Sequence, residues 1–341
     1  MLSRVADAIY WMSRYMERAE NVARVVDVNL HLSLDFPEGG EQWGPLVATT
    51  GDEENFKKRY GDDLSRENVL AFLTFDRQSP NSILSCLTQA RENARSVREI
   101  ISSEMWEEIN NAYLMIMDAA RSKNALDRPH DFFTAVKQAS QLFVGVTYLT
   151  MSHDEGWHFG RLGRLLERAD KTSRILDVKY FLLLPQAMDV GMTVDELQWG
   201  AVLRSASAFE MYRKRHGAIT PAKVVEFLML SRRFPRSMRY CLVKGERSLH
   251  AITGTPFGSA SNPVERVLGR LVADLAYADP TDMVAHGLHE RIDDLQKKMN
   301  RVGDAIYTTF FAMKPVTPET MSQEQSQDPR TSLPPPEKRG Q

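Results

Sequence analysis

At 341 residues, with 43% apolar and 26% charged side chains, the chain has a globular composition and enough length to bury a sizeable core. A formal net charge of −2 offers no global attraction to nucleic acid or to an anionic membrane, and two cysteines, Cys86 and Cys241, are too few for a disulfide framework or a thiolate metal cage. No stretch approaches the roughly 20 apolar residues of a membrane helix, so the expected setting is a reducing cytoplasm, with neither nucleic acid nor membrane as a partner.

The start, Met1-Leu2-Ser3-Arg4, runs straight into an amphipathic pattern holding Asp7, Arg14 and Glu17, which predicts no signal peptide. Ser3 caps a predicted helix to about Leu34, with Ile9, Met12, Met16, Ala19, Ala23, Val26 and Leu30 as its apolar stripe. From Asp35 to Asp63, Pro37, Gly39-Gly40, Gly44-Pro45, Gly51 and Gly61 break the chain too often for a long helix, leaving Glu53–Tyr60 as a short one. Such long excursions are often functional or mobile. Ser65 caps a helix through Phe72, and Ser79-Pro80-Asn81 precedes a charged helix from Ile83 to Ile101. Met105-Trp106 and Tyr113-Leu114 belong to a helix reaching about Ala120. After a turn at Asp127-Arg128-Pro129, the apolar run Phe132–Met151 predicts a helix at the centre of the fold, followed by another from about Trp157 to Phe181.

In the second half, Thr193-Val194-Asp195-Glu196 is a capping box for a helix through Arg215, and Thr220-Pro221 opens Val224–Leu230. Pro235 opens an element running through Tyr240 to Leu249, and Asn262-Pro263 one bearing Val264 to Leu275. The last long helix is expected from Met283 to Phe311. Beyond Lys314 the composition of Pro, Gln, Ser, Glu and Asp predicts a disordered tail, so residues 1–313 are the helical domain and 314–341 the tail. With no hairpin-type alternation, the fold class is all-α, a single integrated multi-helix bundle.

One stretch is written twice. Arg14 to Asp27 and Arg164 to Asp177 match without a gap, sharing an arginine, Glu-Arg-Ala, an acid, a second arginine and a final aspartate. In the second copy Leu162, Leu166, Ala169, Leu176 and Tyr180 form the stripe, with Ser173 its polar member. Flanking the stripes lie Arg14, Glu17, Arg18, Asn21 and Arg24, mirrored by Arg164, Glu167, Arg168, Lys171 and Arg174. Pairs one turn apart, Arg14/Glu17, Glu20/Arg24, Arg164/Glu167 and Asp170/Arg174, can attract within each helix. Exposed pairs of that kind contribute only about 0.3–0.5 kcal/mol, a weak reason for the pattern to recur. The two helices are therefore expected to be core neighbours. A shorter recurrence, Arg4–Tyr10 with Arg301–Tyr307, has one change.

Catalytic signatures for phosphate loops, dinucleotide turns, nucleophile elbows and zinc helices are absent from the sequence. Of the histidines, His286/His289 and His153/His158 are incomplete as metal sets, and no metal, cofactor or catalytic residue is predicted. The candidates are Arg14, Glu17, Arg18, Arg24, Arg164, Glu167, Arg168 and Arg174, joined by Arg161 and by His158 one turn before it. Arginine forks hold carboxylates and phosphates, and a desolvated glutamate can act as a base, so these residues suit an anion site. They equally suit interhelical ion pairs that set packing register.

Tyr10 to Asn21, Phe75-Asp76-Arg77 with Ser82 to Leu87, Ala90 to Arg98, Ser102 to Glu107 and Gly160 to Asp177 resemble the bacterial alpha-E domain family, over the chain to about Phe311. The family's Glu-Arg motif matches Glu17-Arg18 and Glu167-Arg168. The resemblance implies an all-helical protein encoded with, or fused to, a circularly permuted ATP-grasp protein and a transglutaminase-like protease homologue. It thus implies a non-catalytic helical subunit of an ATP-grasp-linked system that forms amide bonds or modifies a peptide. The alternative is an enzyme or ligand-binding bundle using the duplicated stripes as a carboxylate site.

Overall fold

The computed structural model describes residues 1–35, 43–122, 126–182, 193–285 and 287–312. Helix α1 spans Ser3–Asp35, followed by α2 (Gly44–Thr50), α3 (Glu53–Tyr60) and α4 (Arg66–Thr74). Ser82 caps α5 (Ile83–Ser96) and Ser102 caps α6 (Ser103–Arg121), each serine oxygen accepting from the amide three residues on. Then come α7 (Pro129–Thr150), α8 (Glu155–Leu182), α9 (Thr193–Ser205), α10 (Phe209–Arg215) and α11 (Pro221–Val225). Ser237 caps α12 (Met238–Thr253) and Asn262 caps α13 (Pro263–Ala276), before α14 (Pro280–Ala285) and α15 (Leu288–Ile306). Wide π-type turns at Glu226–Leu230 and Tyr307–Phe311 extend α11 and α15. No strand occurs among the described residues, and no described helix is long and apolar enough to cross a membrane.

Three expected boundaries and one expected placement shift for identifiable reasons. The helix expected through Arg215 breaks at Ser207, whose φ of 49° lies in the left-handed region; the Ala208 and Ser207 amides return to the Leu203 and Arg204 carbonyls and close α9. The helix expected from Met283 to Phe311 is split at Gly287, with φ 96°. Helix α5 ends at Ser96, whose hydroxyl bonds back to the Asn93 carbonyl, five residues before the expected Ile101. Helix α7 is not central: Phe133, Val136 and Phe143 are buried, but Leu142, Tyr148 and Leu149 are exposed, because its apolar residues encircle the helix and only one face has partners. The side chains of Tyr180 and Thr193–Asp195, together with His286, residues 36–42 of the expected excursion and the expected tail 314–341, lie outside what is described.

The centre belongs to α1 and α8. Their expected stripes, Ile9 to Leu30 and Leu162 to Leu176, are buried throughout. Helix α1 closes a ring with α5, α6 and α7, and α8 closes another with α12, α13 and α15; the two rings share the α1–α8 seam. Ile9, Met12 and Met16 feed one apolar core, while Ala6 and Tyr10 join Leu162, Val302 and Ile306 in the other. The seam helices run in the same direction, with the Met1 ammonium 2.8 Å from Glu155 at their starts. They also touch closely. A Cβ on Gly163 would lie 2.5 Å from the Tyr10 carbonyl oxygen, so only glycine permits this approach. Residues Met1–Phe311 form one unit.

Candidate functional site

Parallel packing turns the charged flank of each seam helix toward the other, so the pairing runs across the seam. Arg168 donates from Nε and Nη2 to the two Glu17 carboxylate oxygens at 2.8 and 2.6 Å. Reciprocally, Arg18 donates from Nε and Nη2 to the two Glu167 oxygens at 2.6 and 2.9 Å. Arg14 adds Nε to Glu167 at 2.9 Å, and Arg236 of the segment before α12 adds Nη1 to Glu17 at 3.3 Å. Both glutamate side chains have no solvent exposure. The expected pairs within one helix hold for Glu20/Arg24 and Asp170/Arg174. They do not hold for Arg14, which leaves Glu17 for Glu167, or for Arg164, which makes no hydrogen bond or ion pair among the described residues. A buried carboxylate draws guanidinium forks to it, which overrides a surface pairing worth a few tenths of a kcal/mol.

Burial pushes both glutamates toward the neutral form, but the facing cations prevail. Arg168 and Arg236 hold the Glu17 carboxyl below the usual range, and Arg18 and Arg14 do the same for Glu167. Carboxylates so held stay ionised near neutral pH and are weak proton acceptors. Burial drives both thiols up to about 12, leaving Cys86 and Cys241 protonated. The same burial, reinforced by Arg168, brings Arg164 down to about 10.

Cations outnumber anions around this cross. Arg14, Arg18, Arg24, Arg164, Arg168, Lys171, Arg174 and Arg236 face Glu17, Glu20, Glu167 and Asp170. The Lys171 side chain is only 8% exposed, and its ammonium has carboxylate oxygens no nearer than 3.5 Å (Asp170) and 3.9 Å (Glu167), neither a hydrogen bond. Burial, with help from Arg18 and Arg174, lowers its pKa. Arg174 uses Nε on Asp170 at 3.0 Å, and its terminal nitrogens make no hydrogen bond among the described residues. Arg14, Arg18, Lys171 and Arg174 all open on a cavity of about 660 Å3 between the seam and α15, with Tyr10, Trp11, Leu166, Met299, Tyr307 and Phe311 as apolar and aromatic walls. Arg174 also borders a neighbouring cavity of about 640 Å3 that reaches α2 and α3. Gly51, at φ 75°, is what lets Arg174 lie there, since a Cβ would meet its Nη1 at 2.7 Å.

The remaining candidates are placed apart. Arg24 bonds to Glu20 and to the Ser207 hydroxyl. Arg161 lies over the Trp157 ring at 5.1 Å and 3.5 Å from the Ser248 hydroxyl, and His158 stands edge-on to Trp157 with its Nδ1 buried and unpaired; neither joins the cross. Where α1 meets α7, Asp27 lies beside His31 and His130 with ligand-type atoms within 4.8 Å of one another, and Lys137 donates to Asp27 at 2.6 Å. His289 bonds Asp177 at 2.7 Å.

Arg236 and Asn81 escaped the reading of the sequence, although a signal for them exists. Pro80-Asn81-Ser82 with Cys86-Leu87 has the spacing of Pro235-Arg236-Ser237 with Cys241-Leu242. In each, the serine hydroxyl donates to the carbonyl six residues earlier, Asp76 or Ser231, and the thiol faces the proline carbonyl. The residue between proline and serine then reaches the cross: Asn81 accepts from Arg18 at 2.7 Å, and Arg236 binds Glu17 and Glu20.

Residues 1–311 match the family model for Alpha-E, a predicted alpha-helical domain with a conserved ER motif. Proteins from Mycobacterium bovis and two strains of Mycobacterium tuberculosis, each described as an uncharacterized protein, are 24–25% identical over 337 residues. These alignments cover 91% of this chain but only 37% of each relative, so the chain spans little more than a third of their length. No solved structure matches the chain.

Proposed function

The chain belongs to the Alpha-E family, and from that premise we propose that it is a non-catalytic helical subunit of an ATP-grasp-linked system that forms amide bonds or modifies a peptide. Its partners in this reading are an ATP-grasp-type ligase, a transglutaminase-like protein and the peptide itself. The observation that carries the non-catalytic part is the state of the two motif glutamates. Each is fully buried, held by a bidentate arginine and kept ionised, so Glu17-Arg18 and Glu167-Arg168 act as the scaffold of the seam. The two protonated thiols support the same reading. Affinity purification of the tagged chain from its native cell, followed by mass spectrometry, tests the partners. Co-elution of an ATP-grasp-type protein is the expected result. Turnover of a peptide by the isolated chain overturns the reading, as does purification without either class of partner.

A second reading, a carboxylate site on the stripes, gains support from the surplus of cations beside the cavity. In that role the glutamates position arginines and the ligand contacts fall to other residues.

A further inference from the structure

We propose that the cavity between the seam and α15 binds the carboxylate of a peptide, with Lys171 and Arg174 as its direct contacts. The proposal rests on the reading of this chain as a peptide-handling subunit and specifies where the peptide is held. Lys171 is the central observation. A lysine ammonium has three donors, and here the side chain is 8% exposed with no hydrogen bond among the described residues, while lining the cavity. Buried polar groups are ordinarily hydrogen-bonded, and a buried ammonium whose carboxylate neighbours stand off at 3.5 and 3.9 Å keeps its donors for a further anion. Arg174 contributes two terminal nitrogens without hydrogen bonds on the same wall, and Gly51 leaves the room its guanidinium occupies. Arg14 and Arg18 line the same cavity but are engaged with Glu167, so they add positive potential without offering direct forks.

The rest of the cavity favours a carboxylate on an organic body over a polyphosphate. Trp11, Leu166, Met299 and Tyr307 provide apolar and aromatic surface against which a peptide side chain packs. Asp170 and Asp304 lie on the same lining and repel a dense run of negative charge, whereas Asp304 suits a peptide ammonium or amide. A volume of about 660 Å3 falls in the range of small-ligand sites and leaves room for a few residues.

The test is titration calorimetry with thermal shift on the full chain, using triglutamate, capped triglutamine, inorganic phosphate and ATP as probes. Triglutamate is expected to bind and raise the melting temperature, and capped triglutamine to do neither. Lys171→Met should weaken triglutamate at least tenfold. Gly303→Leu provides a variant that spares every charge. A Cβ there meets nothing within 4 Å, the position lines the cavity, and leucine suits a helix better than glycine. It should fold at least as well as the parent and lose the triglutamate response. The proposal is overturned if triglutamate leaves the parent unchanged, if phosphate or ATP binds more tightly than triglutamate, or if Gly303→Leu binds triglutamate like the parent. None of these outcomes bears on co-purification of partners, so the two readings fail separately.

Discussion

Arg168 and Glu17 meet 151 positions apart in the chain, the guanidinium placing Nε and Nη2 on the two carboxylate oxygens at 2.8 and 2.6 Å. The pair joins the two helix rings at the middle of the seam, where the Glu17 carboxylate has no water to fall back on. Removing Arg168 therefore strands Glu17 with only Arg236, at 3.3 Å, and Asn21 as donors. Arg168→Ala should lose roughly 3–5 kcal/mol of stability, toward the lower end because Arg236 remains. The double variant Arg168→Ala/Glu17→Gln should lose clearly less than the sum of the single changes in urea unfolding. Additive losses would show that the two side chains act independently.

The acid limb of the stability curve should report both motif glutamates. Their folded pKa values lie below the unfolded ones, so their contribution is complete above the unfolded carboxylate range and disappears as pH falls through the folded values. Unfolding free energy of the parent should fall from about pH 5 downward. In Glu17→Gln, less stable at neutral pH, that slope should be shallower. An unchanged slope in urea titrations across this window would place the pH dependence elsewhere.

Seam contact should tolerate almost no added volume. Gly163→Ala brings a methyl to within 2.5 Å of the Tyr10 carbonyl oxygen, a backbone atom that cannot swing aside. A loss of about 1–3 kcal/mol is expected, although alanine favours a helix over glycine. Gly145→Ala, whose Cβ has nothing within 4 Å, should be neutral or stabilising and serves as the control in thermal melts.

Thiol chemistry checks the burial of both cores' edges. With Cys86 and Cys241 fully buried and their pKa values near 12, iodoacetamide at pH 8 should label neither in the native chain and both in denaturant. Rapid labelling of the native protein would contradict the packing of α5 and α12 against the seam.

Binding at the cavity should fade early on the alkaline side. The Lys171 pKa lies below its usual value through burial and its arginine neighbours, so the ammonium loses its proton at a lower pH than an exposed lysine. A bound carboxylate favours the charged form and raises that pKa, so binding should take up a fraction of a proton and weaken as pH rises toward the ordinary lysine range. Calorimetry of triglutamate in buffers of different ionisation enthalpy measures that uptake. Proton uptake that does not grow as pH rises toward the ordinary lysine range would remove Lys171 from the site.

Much of this protein was decided locally and could be read from the chain itself. The stripes from Ile9 to Leu30 and from Leu162 to Leu176 carry the helical period, and Asn262-Pro263 announces the helix that follows it. The ungapped recurrence of Glu17-Arg18 as Glu167-Arg168 marked the two helices that meet at the centre. Partner choice could not be read in the same way. Local spacing offers Arg14 to Glu17, whereas the parallel approach of α1 and α8, permitted by Gly163, delivers Arg168 to Glu17 and Arg14 to Glu167. Arg236 arrives from more than 200 positions away, and no periodicity records that distance. The apolar run of α7 looked central because composition measures how apolar a segment is, while burial depends on how many of its faces find neighbours. The same distinction separates Lys171 from Arg168: both lie on one charged flank in the sequence, but only the tertiary structure gives Arg168 a bidentate carboxylate and leaves Lys171 with looser ion pairs at 3.5 and 3.9 Å, facing a cavity. Charge pattern sets which residues seek partners, and the crossing of helices sets which of them find one.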